Sequence, residues 1–296
     1  MKNVEENLNN YRYLIEDYIY KKLQKLKKRQ DVFDVMEYCL RSGGKRVRPL
    51  LMVLVFEMLG GSNIDEILPF AAAVEFIHTY SLIHDDLPCM DNSDMRRGKL
   101  SCHKFFDEAA AVLAGDAFLT YAFEVVSENF VVFPEANISV INFLANSSGV
   151  FGMIGGQFID VSLSFENFKN SIRKLIKMYR MKTGKLIEFS VMASSKIVSV
   201  NALDLNLLKK FSRLLGFAFQ IKDDILDCDD SFEVIDNLKE QKACVPKITF
   251  VSLYGIEFSI RMLNKIFKKI VLLLNKFGER ANTLIKFTEY LLEIKN

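Results

Sequence analysis

Apolar positions recur at three- and four-residue steps along most of the chain, the spacing that lines one face of a helix. From Val4 to Lys28 the stripe is Leu8, Tyr11, Leu14, Ile15, Tyr18 and Ile19, and the lysine-rich end KKLQKLKKR suits a helix C-terminus. A second helix, Val32 to Arg41, runs into SGGKRVRP, where Gly43 and Gly44 supply left-handed geometry and Pro49 suits a new helix start. Pro69 to Leu87 is apolar nearly all round, which places that helix deep in the fold. Further helices are predicted over Phe105 to Phe133, as a pair within Ile138 to Leu163, over Phe168 to Val198, and over Leu203 to Asp230. A loop, SFEVIDNLKEQKACVPK, then precedes helices around Ile248 to Phe277 and Ala281 to Ile294. No repeat, low-complexity linker or strand-rich segment interrupts this pattern, so residues 1–296 read as one all-α domain.

Composition sharpens the picture. Half of the 296 residues are hydrophobic, with 25 Phe, no Trp, 14 Gly and 5 Pro, a makeup of long helices with few tight turns. The net charge of +2 gives no global electrostatic argument for nucleic acid or for an anionic membrane surface. Cys39, Cys89, Cys102, Cys228 and Cys244 contain no CxxC pair, which fits a reducing compartment and argues against structural zinc. The polar start MKNVEENLNNYR lacks a signal-peptide core, and no apolar run reads as long enough to span a bilayer. A cytoplasmic protein is the expectation.

Charge is concentrated instead. LIHDDLPCMDNSDMRRG packs Asp85, Asp86, Asp91 and Asp94 against Arg96 and Arg97 just after an apolar helix. Carboxylates this dense call for hard cations, and oxygen-only ligands suit Mg2+. The arginines suit a phosphate-bearing substrate. A second cluster, FQIKDDILD, sets Asp223 and Asp227 four residues apart on one helical face, with Gln220 a turn earlier and Asp224 beside them. Like charges at that spacing destabilise a helix unless a metal bridges them.

Other polar groups interrupt apolar helices. Lys45, Arg46 and Arg48 flank the double glycine, where cations can reach oxyanions while the backbone comes close. His78 lies seven residues before Asp85, about 10 Å along the helix, and reads equally well as a ligand-facing or a structural histidine. His84 and His103 read as structural. Gly155, Gly156, Gln157 and Asp160 in GMIGGQFID imply tight packing or a ligand, and Gly184 can loosen its helix so that Lys182 and Thr183 project inward. Two acidic clusters, separate cations and an aromatic interior together suit a diphosphate ester with a hydrocarbon tail.

With GGKRVRP, HDDLPCMD, GGQ, KTG and FQIKDDILD in this order, the sequence resembles the trans-isoprenyl diphosphate synthases, and most of all bacterial farnesyl diphosphate synthases, from Gly43 to the C-terminal region. The resemblance implies an isoprenoid-synthase helical bundle with a central cavity. It implies that Asp85 and Asp91 hold two Mg2+ ions and Asp223 a third, supported by Asp86, Asp224 and Asp227, with Mn2+ as a substitute metal. Arg96 and Lys182 would grip the allylic diphosphate, and Thr183 and Gln220 would turn oxygens toward the allylic cation. Gly44, Lys45, Arg48, His78 and Arg97 would hold isopentenyl diphosphate, Lys247 would serve substrate binding, and the chain would be a homodimer.

Product length in that family depends on the fourth and fifth residues before the first aspartate, here Ser81 and Tyr80, about 6 to 7.5 Å below Asp85. An aromatic at the fifth position resembles enzymes that stop at C15, with geranyl and geranylgeranyl diphosphate as alternative products. The departures follow the second cluster. Asp236 and Asn237 stand where Gly-Lys is usual, Lys242 stands where an aspartate is common, and Phe250 and Val251 replace Tyr-Pro between Thr249 and Gly255. Lys239 or Lys242 can stand in for the missing lysine. A class I terpene cyclase is a remoter reading, disfavoured by the all-carboxylate DDILD and the presence of GGKRVRP. A non-catalytic partner subunit is disfavoured by two intact acidic motifs.

Overall fold

The computed structural model of the chain describes residues 2–27, 31–128, 134–163, 168–235 and 248–293. They are almost entirely helical, as the periodicity predicts, and fall into two compact units. One comprises residues 1–144 and 193–199, the other residues 145–192 and 200–296.

The first unit is built on α3 (Val47–Met58) and α4 (Leu68–Asp85), with α1 (Lys2–Gln24) and α2 (Asp31–Arg41) packed on them. Phe70, Ala71, Ala72, Ala73, Val74, Phe76 and Ile77 of α4 are all fully buried, the outcome expected for a helix without a polar face. Each large side chain among them contributes about 1.5–3 kcal/mol. The alanines admit close approach of α6 (Glu108–Ser127), which buries Ala111, Ala114 and Ala122 and sets Phe118 and Tyr121 5.6 and 5.4 Å from the Phe76 ring. Ser194 ties the end of α10 (Lys185–Val198) to this unit, donating to the Met52 carbonyl at 2.8 Å.

The helix predicted over Phe105 to Phe133 is divided in the structure. A short α5 (Cys102–Phe105) stops before Asp107, which caps α6 by accepting the Ala110 N–H at 2.7 Å. The sequence also holds a hairpin that helical periodicity did not predict, β1 (Met95–Arg96) paired antiparallel with β2 (Lys99–Leu100). Arg97 and Gly98, with φ of 54° and 77°, form its two-residue turn, the positive-φ pair that right-twisted hairpins require.

The second unit is built on α11, Ala202–Ile235, which packs against α9 (Phe168–Tyr179), α13 (Ile256–Leu274) and α14 (Asn282–Leu292). Here α11 runs past Asp230 into the stretch expected as loop, and residues 236–247 lie outside those described. The helix predicted from Ile248 is broken at Gly255 (φ 80°), between a five-residue α12 (Phe250–Tyr254) and α13. Between α9 and α10, Arg180–Gly184 is a π turn, a local widening often found where function needs a side chain re-aimed.

Among the described residues two stretches have the length and apolarity of a membrane span, Glu108–Ser127 and Asn137–Val161, where the sequence reading found none. The first is α6, whose apolarity is used against α4. The second is interrupted between α7 (Pro134–Ser148) and α8 (Met153–Val161).

Candidate active site

In the first unit the first acidic cluster forms at the C-terminus of α4. Asp85 is the last residue of that helix and Asp86 caps it. A helix C-terminus is already the negative end of the dipole, so acidic residues there require cations nearby. Asp86 is buried and accepts from Arg96, whose Nε lies 3.1 Å from each carboxylate oxygen and whose Nη2 also donates to Oδ1. The loop beyond folds back, with the Asp91 N–H donating to the Asp85 carbonyl at 2.8 Å and the Ser93 N–H to that of Asp86 at 3.2 Å. That closure brings residues 85 and 91 to the same helix end. Asp85 is half-buried and Asp91 exposed, whereas Asp94 turns away to Lys104 at 2.9 Å.

Basic groups gather on the same unit. Arg97 donates to the Gly43 carbonyl, docking the hairpin on the double-glycine loop. Gly44 has φ +143°, which strains any side chain, and a Cβ there would lie 2.5 Å from Arg97 Nη1 and push that guanidinium aside. Lys45 is exposed on this loop, and Arg48 and His78 are half-buried. Burial, followed by the Arg48, Arg97, Arg46 and Arg96 guanidiniums, holds the His78 pKa well below its usual range. The structure thus brings Gly44, Arg48, His78 and Arg97 together.

His78 is therefore neutral in the fold at pH values where the unfolded chain carries its proton. Stability is expected to fall as pH drops below about 6.5, since the unfolded state then binds the extra proton. Urea denaturation between pH 5 and 8 checks this, with His78→Gln expected to flatten the profile.

Arg46 does something else. It is buried, takes a left-handed backbone (φ 48°) and donates to Glu75 at 2.7 Å, Glu16 at 3.3 Å and the Leu40 carbonyl at 2.9 Å. Sequence reasoning grouped it with the ligand-facing cations. The available signal was Glu75, a lone acid within FAAAVEFIHTYSLI that could be buried only with a charged partner.

One turn below the acidic end, Ser81 Oγ donates to the His78 carbonyl at 2.9 Å. Tyr80 is 4% exposed, its ring centroid stands 5.8 Å from that of His84, and its hydroxyl has no hydrogen-bond partner among the described residues. Burial, and then the Asp85 charge, push its pKa upward.

The second unit carries the other acidic cluster. Asp223 is half-buried and Asp227 exposed on α11, while Asp224 is buried. Asp224 accepts from the Tyr179 hydroxyl, from the Phe250 N–H at 2.8 Å and from Gln220 Nε2 at 3.4 Å. Thr183, within the π turn, donates to Gln220 Oε1 at 2.7 Å. Lys182 pairs with Asp160 of α8 at 2.7 Å. That contact depends on Gly156, because a Cβ there would lie 2.1 Å from the Lys182 backbone N, too close for any side-chain adjustment to relieve. The GGQ signature therefore seats α8 directly on the π turn.

Residues 29–277 match the polyprenyl synthetase family. The chain belongs to it. It is 45% identical over 231 residues to a farnesyl diphosphate synthase of Micrococcus luteus and 42% identical over 224 residues to one of Bacillus subtilis, covering 78% and 75% of each chain respectively. A crystal structure of an FPP/GFPP synthase from Zymomonas mobilis superposes with a TM-score of 0.82 at 33% identity, covering 97% of this chain and all of that one.

For a polyprenyl synthetase the second cluster is unevenly exposed, since Asp224 is buried among neighbouring donors, Asp223 is half-buried and Asp227 is exposed. Among the described residues no group of three or more His, Cys, Asp or Glu side chains is arranged around one metal position. Asp236, Asn237, Lys239, Lys242 and Lys247 lie outside the described residues. Tyr179 was missed by sequence reasoning. As one aromatic within an apolar helical stripe it carries no signal apart from its partner.

Proposed function

We propose that this polyprenyl synthetase is a prenyltransferase that condenses isopentenyl diphosphate with dimethylallyl or geranyl diphosphate, trans and head to tail, giving farnesyl diphosphate. The observation that carries the reading is the docking of Arg97 on the double-glycine loop, which sets a cationic group around neutral His78. Mutually repelling guanidiniums beside an uncharged imidazole suit a bound diphosphate. In this reading Gly44, Lys45, Arg48, His78 and Arg97 hold isopentenyl diphosphate.

Asp85, Asp91 and Asp223 fit Mg2+ by donor type, as hard carboxylate oxygens at least partly accessible to solvent, and Mn2+ would be accepted by the same set. Bound Mg2+ would neutralise the allylic diphosphate and make it a better leaving group. Arg96 spends Nε and Nη2 on Asp86, so Nη1 is directed to an oxygen of that diphosphate. Lys182 exchanges Asp160 for the same group, and Thr183 and Gln220 present oxygens to the cationic carbon. The isopentenyl double bond is the nucleophile that attacks the allylic cation, and the departing diphosphate takes the proton then lost, so neither a protein nucleophile nor a protein base is required. Lys247, with Lys239 or Lys242, completes the anion-binding set.

Release of diphosphate that requires both substrates, with C15 as the main product from labelled isopentenyl diphosphate and a C10 primer, tests the reading. A cyclic hydrocarbon from the allylic substrate alone would overturn it.

Tyr80 sets the length. Its buried ring lies one turn below Asp85, where a growing chain would meet it, and Tyr80→Ala is expected to shift the main product from C15 toward C20 under allylic excess. Unchanged chain length on chromatography of the dephosphorylated products would remove Tyr80 from that role.

The chain is also proposed to be a homodimer in the cytoplasm. Val150, Phe151, Ile154, Phe158 and Val161 form an exposed apolar stripe at and before α8, between 44% and 76% exposed, which suits a self-complementary interface. Light scattering is expected to give twice the 34.0 kDa chain mass.

A further inference from the structure

We infer that Tyr179 is a positioning residue that orients the Gln220 amide and the Thr183 hydroxyl through the buried Asp224 carboxylate; this rests on the prenyl transfer proposed above. Two cross-helix contacts carry the inference. Tyr179 meets Asp224, and four residues further along Thr183 meets Gln220, which lies four residues before Asp224 on α11. The two pairs are thus successive rungs between antiparallel segments, and the π turn begins just after the first rung.

The polarity of the network follows from donor and acceptor chemistry. A carboxylate only accepts, so Gln220 must turn its NH2 toward Asp224 and its carbonyl oxygen away. That oxygen accepts the one proton Thr183 can donate, which leaves the Thr183 oxygen lone pairs facing outward. The result is a line of dipoles running from a buried negative charge, with oxygens at its far end. Such prealigned dipoles favour positive charge that develops only in the transition state.

Tyr179 holds the first member in place. It is 1% exposed and donates to the Asp224 oxygen that also receives the Phe250 N–H. With both of those donors on Oδ2, Oδ1 is the oxygen offered to Gln220. Without the hydroxyl only the Phe250 N–H holds Oδ2, so the carboxylate is less tightly fixed and the Gln220 amide loses part of its fixed sense.

The test is the single-turnover rate and the KM for each substrate in Tyr179→Phe, Gln220→Ala and the double variant. Tyr179→Phe is expected to lower the rate about 10- to 100-fold, the scale for outer groups that orient a reacting site, with both KM values within twofold. In the Gln220→Ala background the same change is expected to cost nothing more. An unchanged rate in Tyr179→Phe, multiplicative losses in the double variant, or a loss expressed in KM would each overturn the inference. Asp224→Asn, read in the same cycle, takes over if Tyr179→Phe does not fold. A wild-type protein that makes no prenyl diphosphate removes the functional reading and this inference together, whereas an active wild type with an unaffected Tyr179→Phe removes this inference alone.

Discussion

Replacing Asp85 with asparagine is expected to lower prenyl transfer by about 10³-fold or more, the scale for removing a fixed charge aimed at a developing transition-state charge. The substitution is well suited to isolate charge from shape. Asparagine keeps the side-chain volume, and the contact that closes the loop uses the Asp85 backbone carbonyl, which the change does not touch. Asp91→Asn should behave in the same way, because the Asp91 N–H is the donor of that contact and survives as well. Asp94→Asn is the control. Its exposed pair with Lys104 is of the kind that contributes about 0.2–1 kcal/mol or nothing, so activity should stay within twofold. Single-turnover formation of labelled prenyl diphosphate across a Mg2+ titration measures all three. A rate for Asp85→Asn within tenfold of wild type at saturating Mg2+ would exclude it from the metal set.

Arg46→Met is expected to destabilise the protein by about 3–5 kcal/mol, the usual cost of leaving one member of a buried ion pair without its partner. Both side chains of the Arg46–Glu75 pair are almost inaccessible, at 1% and 2%, so solvent cannot replace the lost contact. The Leu40 carbonyl at the end of α2 loses its donor at the same time. Adding Glu75→Met should recover most of the loss, since an apolar pair of similar volume can replace a buried ion pair at little cost. Denaturant unfolding of the single and double variants checks this. Lys45→Ala, one residue away, should leave stability unchanged and raise the KM for isopentenyl diphosphate. Equal destabilisation by both changes would mean that the loop has no division of labour.

That division marks where sequence reading ran out. Lys45, Arg46 and Arg48 are alike in charge and spacing, and local pattern cannot say which of three adjacent cations turns inward. The left-handed backbone at Arg46 and the placement of Glu75 on α4 decide it, and both depend on how α1, α2 and α4 pack. The hairpin at Met95–Leu100 left only Arg97-Gly98 as a turn signal, because strands of two residues are too short to show an alternating pattern. The end of α11 was misplaced because the acids from Asp227 to Asp230 interrupt the apolar pattern and were read as the end of the helix, which continues through Ser231 to Ile235.

The sequence by itself determined the helices, because a 3.6-residue apolar period survives any arrangement of neighbours. It also determined the two acidic clusters and the cationic loop, because carboxylates and guanidiniums set within apolar helices need partners wherever those helices lie. Tertiary structure alone decided how like residues divide their tasks. Asp86 goes to Arg96, Asp224 to Tyr179 and Phe250, and Arg46 to Glu75, while Asp85, Asp91 and Asp223 stay at least partly accessible. The physical reason is that a hydrogen bond or ion pair forms between specific atoms within about 3 Å, and residues far apart in sequence reach that distance only after the helices have packed.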